Sequence, residues 1–203
     1  RKYLNRFMSQ TDRQYLAAVI RYNQALQERN KLLKVNPSEE MLLIYDMMLD
    51  ECAKTIFERR TKAVEQLLPL VERYYALLSS DRERIGMQYR SDLQEGTMAD
   101  MLLASRRKDF INEHTTIGIH RDDVIFTIAE YPLRKFGSQG QQKSFLVALK
   151  LAEYTLLAEH NNEKPILLLD DLFDKLDMGR VAQLLRLVGS EMFGQIFITD
   201  CNK

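Results

Sequence analysis

The chain has 203 residues, 45% of them apolar and 29% charged, with eight glycines and four prolines. That composition belongs to a globular chain and excludes collagen-like and low-complexity classes. The 29 basic and 29 acidic residues cancel, so no bulk field draws the molecule onto a polyanion.

The longest apolar runs, such as Ile166–Leu169, are far too short to span a bilayer. Cys52 and Cys201 make no disulfide framework and no CxxC pair, which points to a reducing, cytosolic setting. No apolar leader opens the chain and no Met starts it, so it reads as a piece of something longer. Charge is unevenly spread. Residues 1–34 carry eight Lys/Arg against Asp12 and Glu28, whereas residues 116–203 carry ten basic and twelve acidic groups.

Thr11-Asp12-Arg13-Gln14 has capping-box spacing and predicts a helix start at Thr11. Leu16, Val19, Asn23, Leu26 and Leu33 then mark one stripe of a long basic helix. Asn36-Pro37-Ser38-Glu39 closes it and opens a second, with Asn36 as N-cap and Pro37 at the first helical position. In the second helix Leu42, Tyr45, Leu49, Cys52 and Ile56 follow a near-heptad. The stripe then drifts to Ala63, Leu67, Leu70, Tyr74 and Leu77, as a straight 3.6-residue period does. Pro69 falls inside and is expected to kink or restart the helix. About forty residues at ~1.5 Å each reach roughly 60 Å, so the pair predicts an antiparallel helical arm.

Ser79-Ser80-Asp81 ends the arm, and the alternating Ile85, Met87 and Tyr89 predict a strand. A helix over Thr97–Asn112 carries the basic knot Arg106-Arg107-Lys108. Residues 1–112 thus read as one domain, a helical arm and lobe with one short strand.

Residues 113–203 read as α/β. Strands Thr115–Ile119 and Val124–Ile128 flank the charged turn His120–Asp123, which we take as structural. A helix over Ser138–Glu159 has Leu146, Leu149, Leu151 and Leu156 as buried candidates. Ile166–Leu169 predicts a parallel strand buried on both faces. A helix from Met178 to Val188 and a strand over Ile196–Ile198 complete a right-handed βαβ unit. The fold class is α+β and helix-rich, with a partial parallel sheet.

Three stretches carry chemistry. Ile166–Leu169 ends in Asp170-Asp171, and an apolar strand delivers such carboxylates to the ligand-binding edge of a parallel sheet. There they can hold Mg²⁺ and orient an attacking water, or form a solvated turn. Gly137-Ser138-Gln139-Gly140-Gln141-Gln142 precedes a helix whose unpaired N–H groups suit a phosphate; it is equally a plain N-cap. Asp174-Lys175-Leu176-Asp177 is by itself an acidic turn that caps a helix.

In this order and spacing the three resemble the signature motif, Walker B strand and D-loop of an ABC-type ATPase head. Gly118-Ile119-His120-Arg121-Asp122-Asp123 followed by Ser138-Gln139-Gly140-Gln141-Gln142 narrows the resemblance to the RecF family of bacterial recombination mediators. Arg1–Leu4 and Gln27–Leu33 also resemble the stretch that enters the family's helical arm. Ile119 stands where the family usually has Pro, and no switch histidine follows Thr199-Asp200-Cys201. No glycine is followed by Lys, so GxxxxGK[ST] is not in the chain; a P-loop is expected upstream of Arg1. The sequence therefore resembles the C-terminal part of a RecF protein without its Walker A lobe, and the chain alone is expected to be inactive.

The resemblance implies ATP sandwiched in a homodimer, with Mg²⁺. Ser138, Gly140 and Gln141 would meet the γ-phosphate in trans and Asp177 would lie at the dimer seam. Asp170 would hold the metal, and Asp171 would act as the catalytic carboxylate. It further implies slow DNA-dependent ATP hydrolysis, DNA binding at gaps or single-strand/duplex junctions, and partnership with RecO and RecR in loading RecA in the bacterial cytoplasm. Candidate contacts to DNA phosphates are Arg13, Arg21, Arg29, Lys31, Lys34, Arg106, Arg107 and Lys108, each of which also suits a solvated helix face. Two other readings stay open: another SMC- or ABC-like head, and a non-catalytic helical module that binds a partner.

Overall fold

The computed structural model describes residues 1–35, 37–170 and 175–199. They form two compact units, each built from separate stretches of chain. The first unit is Arg1–Val64 with Tyr89–Val124; the second is Glu65–Gln88 with the described residues from Ile125 onward.

In the first unit, α1 (Lys2–Thr11) and α2 (Arg13–Leu33) meet at Asp12, whose extended backbone breaks the helix. The Asp12 carboxylate accepts from the Tyr15 amide at 2.9 Å and is the real N-cap. Thr11 belongs to the helix before it, where Leu4, Phe7 and Met8 are buried at i, i+3 and i+4. The buried stripe of α2 is Tyr15, Tyr22, Ala25, Arg29 and Leu33, while Leu16 is exposed. This lies one position away from the apolar stripe the sequence suggests, because two tyrosines and an arginine turn inward.

The helix α3 (Glu39–Ser79) starts after Ser38, whose hydroxyl accepts from the Met41 amide; the expected cap at Asn36 falls outside the described residues. It runs on through Pro69 without restarting. Within the first unit α2 and α3 are antiparallel: Arg29 pairs with Asp46, Arg21 with Glu51, and Arg59 with Asp12. α4 (Met98–Asn112) is capped by Thr97, whose hydroxyl accepts from the Asp100 amide.

The expected strand at Thr115–Ile119 is absent. Gly118, at φ 120°, leads into a 3-10 turn over Ile119–Arg121. A Cβ there would lie 2.3 Å from the Met98 methyl and 2.9 Å from the Tyr22 hydroxyl, so a side chain would strain the backbone and push both neighbours aside.

β1 (Ile85–Arg90), β2 (Asp123–Ile128) and β3 (Tyr131–Pro132) form one sheet in that order, with β2 and β3 antiparallel. Ala129 and Glu130, both at positive φ, make the two-residue hairpin loop. In the second unit, α5 (Leu133–Phe136) leads to α6 (Gln139–Asn161), which buries Phe145, Ala148, Leu149 and Ala152 and exposes Leu146. β4 (Leu167–Leu169) and β5 (Ile196–Ile198) pair in parallel across α7 (Met178–Val188), so the βαβ reading holds. β4 is not buried on both faces: Leu167 and Leu169 are buried, but Leu168 is 70% exposed.

Candidate nucleotide site

The stretch from Ser138 to Gln141 folds as a reciprocal cap. Ser138 Oγ accepts from the Gln141 amide at 3.2 Å, and Gln141 Oε1 accepts from the Ser138 amide at 2.8 Å. Ser138 and Gln139 are exposed, so the first turn of α6 faces solvent with the positive end of a 23-residue helix behind it. Gly140 is needed for close approach, because a Cβ there would come within 2.9 Å of the Lys175 carbonyl oxygen.

Gln141 Nε2 donates to Glu83 Oε1 at 2.9 Å. Arg180 Nη2 reaches the two oxygens of the same carboxylate at 3.0 and 3.2 Å, and the Tyr75 hydroxyl donates to it as well. Burial pushes the Glu83 carboxyl up. The donors Tyr75, Gln141 and Arg180 outweigh that and hold it below the ordinary carboxylate range. Burial raises the Tyr75 hydroxyl, and its bond to Glu83 adds to the rise.

Asp177 caps α7. Its Oδ1 accepts from the Arg180 amide at 2.9 Å, a bond that lowers the carboxyl below its usual range. Arg180 Nε donates to Asp177 Oδ2 at 3.1 Å and its Nη1 to Ser144 Oγ at 2.8 Å. Sequence reasoning passed over Glu83 and Arg180, and no motif marks either residue.

Asp170 stands exposed at the carboxyl end of β4, as its strand predicts, and accepts from the Thr199 hydroxyl beside the end of β5. Asp171, expected as the catalytic carboxylate, lies outside the described residues, as does Asp174. Among the described residues no group of three His, Cys, Asp or Glu side chains could enclose a metal. A Mg²⁺ that keeps its waters and binds phosphate needs only one or two carboxylates, so the Asp170 donor fits it.

The basic candidates divide. Arg13, Lys34, Arg107 and Lys108 are exposed. Arg21 and Lys31 are exposed in surface pairs, with Glu51 at 3.3 Å and Glu28 at 2.7 Å. Arg29 is a correction: its side chain is wholly buried between Asp46 and Asp109, and Nη1 also donates to Thr115 Oγ1. It faces no ligand. Arg106 is likewise spent, its Nη2 2.6 Å from Asp46 Oδ2 with the side chain 14% exposed.

The turn before β2 is held by buried hydrogen bonds, though a 3-10 turn and not a first strand precedes it. Arg60 Nη1 donates to Asp122 Oδ2 at 2.6 Å, and the Tyr89 hydroxyl donates to the same carboxylate. His120 Nδ1 meets the Tyr22 hydroxyl at 2.9 Å and Nε2 the Thr115 carbonyl at 3.2 Å. Burial lowers the imidazole to about 4, so it is neutral in the fold. Among the described residues no helix is long and apolar enough to cross a membrane.

No protein-family model matches the chain. The DNA replication and repair protein RecF of Phocaeicola vulgatus is 40% identical over 206 residues, covering 100% of this chain and 56% of its own length. That of Parabacteroides distasonis is 43% identical over 204 residues, with the same coverage of each. The solved structure of the recombination mediator protein RecF with ATP, of the RecFOR pathway, superposes with a TM-score of 0.85 at 29% identity. It is matched over 100% of this chain and 57% of that one. The chain thus spans a little over half the length of its relatives. With whole-chain identity near 40% and the same fold as a solved RecF, the chain is similar along its entire length to RecF proteins.

Proposed function

We propose that the chain is part of a DNA-repair ATPase that works in the RecFOR pathway as an ATP-dependent homodimer. In this reading it binds DNA and helps load RecA with RecO and RecR. The chain supplies the trans face of the nucleotide sandwich. Ser138 and the amides of Gln139 and Gly140 contact the γ-phosphate, Gln141 holds that turn in shape, and Asp177 lies at the seam. Asp170 would hold Mg²⁺, which would supply positive charge to the triphosphate, and Asp171 would orient the attacking water or take its proton. The P-loop that grips the same triphosphate comes from sequence other than these 203 residues.

One observation carries the reading: a Ser-capped helix start is presented to solvent in the same unit that holds Asp170 at the carboxyl edge of a parallel strand pair. That is where α/β folds bind ligands. The test is to mix this chain with a full-length RecF that carries a P-loop and to follow ATP hydrolysis. Addition of the chain raises turnover, and Ser138→Arg, which fills the phosphate position with a side chain, abolishes the gain. Equal rates with both chains would refute the reading.

A further inference from the structure

The nucleotide reading uses Ser138 and Asp177 but leaves unexplained the half-buried cluster that joins them. Glu83 is an acid with three side-chain donors converging on it, from Tyr75, Gln141 and Arg180. Arg180 has every part of its guanidinium engaged: Nε on Asp177, Nη1 on Ser144 and Nη2 on Glu83. Ser144 Oγ in turn donates to the Gly140 carbonyl at 2.8 Å. A continuous path of hydrogen bonds, charge-assisted as far as Gln141, therefore runs from Asp177 through Arg180 and Glu83 to the Gln141 side-chain amide, whose oxygen accepts from the Ser138 N–H.

Both ends of this path are exposed and its middle is shielded, Arg180 at 14% and Glu83 at 21% side-chain exposure. Shielding strengthens such bonds, and the planar guanidinium fork fixes the angles between its three partners. A second, independent contact ties the same two turns together, the Lys175 carbonyl packed against Gly140. A stability role alone would not require Arg180 and Glu83 to reach the two turns that the function assigns to the triphosphate and the dimer seam.

We propose that Glu83 and Arg180 are positioning residues that couple the Asp177 turn to the Ser138 turn, so that seam formation and γ-phosphate contact occur as one event. This rests on the nucleotide reading above. Neither residue touches the nucleotide; each acts through Gln141 or Asp177.

The experiment uses the protein at its full natural length. Fluorescent-ATP affinity, steady-state kcat and KM, and thermal midpoint are measured for Ser138→Arg, Arg180→Ala, Arg180→Lys, Glu83→Gln and the pair Arg180→Lys with Glu83→Gln. Arg180→Lys keeps the charge but cannot serve Asp177, Ser144 and Glu83 together, and it guards against a variant that does not fold. The expected result is a tenfold or larger fall in kcat for Arg180→Lys and for Glu83→Gln. ATP affinity and KM stay within twofold, and the double variant is no worse than the more damaging single. A merely structural pair would instead lower the thermal midpoint and leave the kcat of the folded protein intact. If Ser138→Arg stops hydrolysis while Arg180→Lys keeps kcat within twofold, the coupling is overturned and the nucleotide reading stands. If Ser138→Arg leaves hydrolysis unchanged, the nucleotide reading falls and the coupling falls with it.

Discussion

Arg29 Nη1 lies 2.8 Å from Asp109 Oδ2, and both side chains are completely withdrawn from water. Removing one partner of such a pair strands the other charge in a medium that cannot solvate it. Arg29→Ala would leave Asp109 uncompensated and Asp46 with Arg106 alone. It is expected to cost about 3–5 kcal/mol, read as a shift of the urea midpoint at constant slope. A change below about 1 kcal/mol would show that the cluster relaxes or admits water.

The exposed basic residues behave oppositely. Arg13→Glu, Lys34→Glu and Lys108→Glu should each leave stability within about 0.5 kcal/mol. If these side chains meet DNA phosphates, each reversal weakens duplex binding and lowers the slope of log affinity against log salt by about one. Titrations at several salt concentrations decide it; an unchanged slope removes that residue from the interface.

His120 gives the first unit an acid sensitivity. The imidazole is held neutral down to about pH 4, whereas in an unfolded chain it titrates near 6.5. Between those values the unfolded chain binds more protons, so this contribution is complete above about pH 6.5 and is lost as pH falls towards 4. The loss amounts to roughly 3 kcal/mol at most. His120→Gln should flatten the stability curve over that interval relative to wild type; parallel curves would place the sensitivity elsewhere.

Gly118 carries a conformational demand and a steric one together, since its φ of 120° is unsuited to L side chains and its Cα faces Met98. Gly118→Ala is expected to destabilise by about 1–3 kcal/mol. Met98→Ala in the same chain should relieve only the Met98 share of the steric cost, leaving the Tyr22 contact and the φ strain, measured as a double-mutant cycle in thermal unfolding.

Much of the second unit was legible because its signals are local. Ser138 as cap, α7 from Met178 to Val188 and β5 over Ile196–Ile198 each follow from a cap residue or a short apolar run, and the structure places them there. The first unit was harder because its burial is decided by tertiary partners. Arg29 looks like any basic residue of a helix face until Asp46 and Asp109, 17 and 80 positions away, close around it. Tyr15 and Tyr22 are likewise turned inward by distant partners, Arg60 and His120. An apolar-stripe count cannot foresee either.

Within the second unit, Glu83 and Arg180 are 97 residues apart, and neither sits in a recognisable motif. Ile166–Leu169 misled for a different reason: an unbroken apolar run reports what a strand can bury, while Leu168 shows what these described residues leave uncovered.

The Gln141 side chain gives and takes at once, its oxygen facing an N–H and its nitrogen facing the Glu83 carboxylate. Swapping that nitrogen for oxygen, in Gln141→Glu, changes almost nothing in size yet sets two acids head to head. They could remain in place only by sharing a proton, and the helix start would then open and close with acidity. The shape of this turn therefore depends on the identity of one atom, so even an isosteric replacement at Gln141 disturbs it.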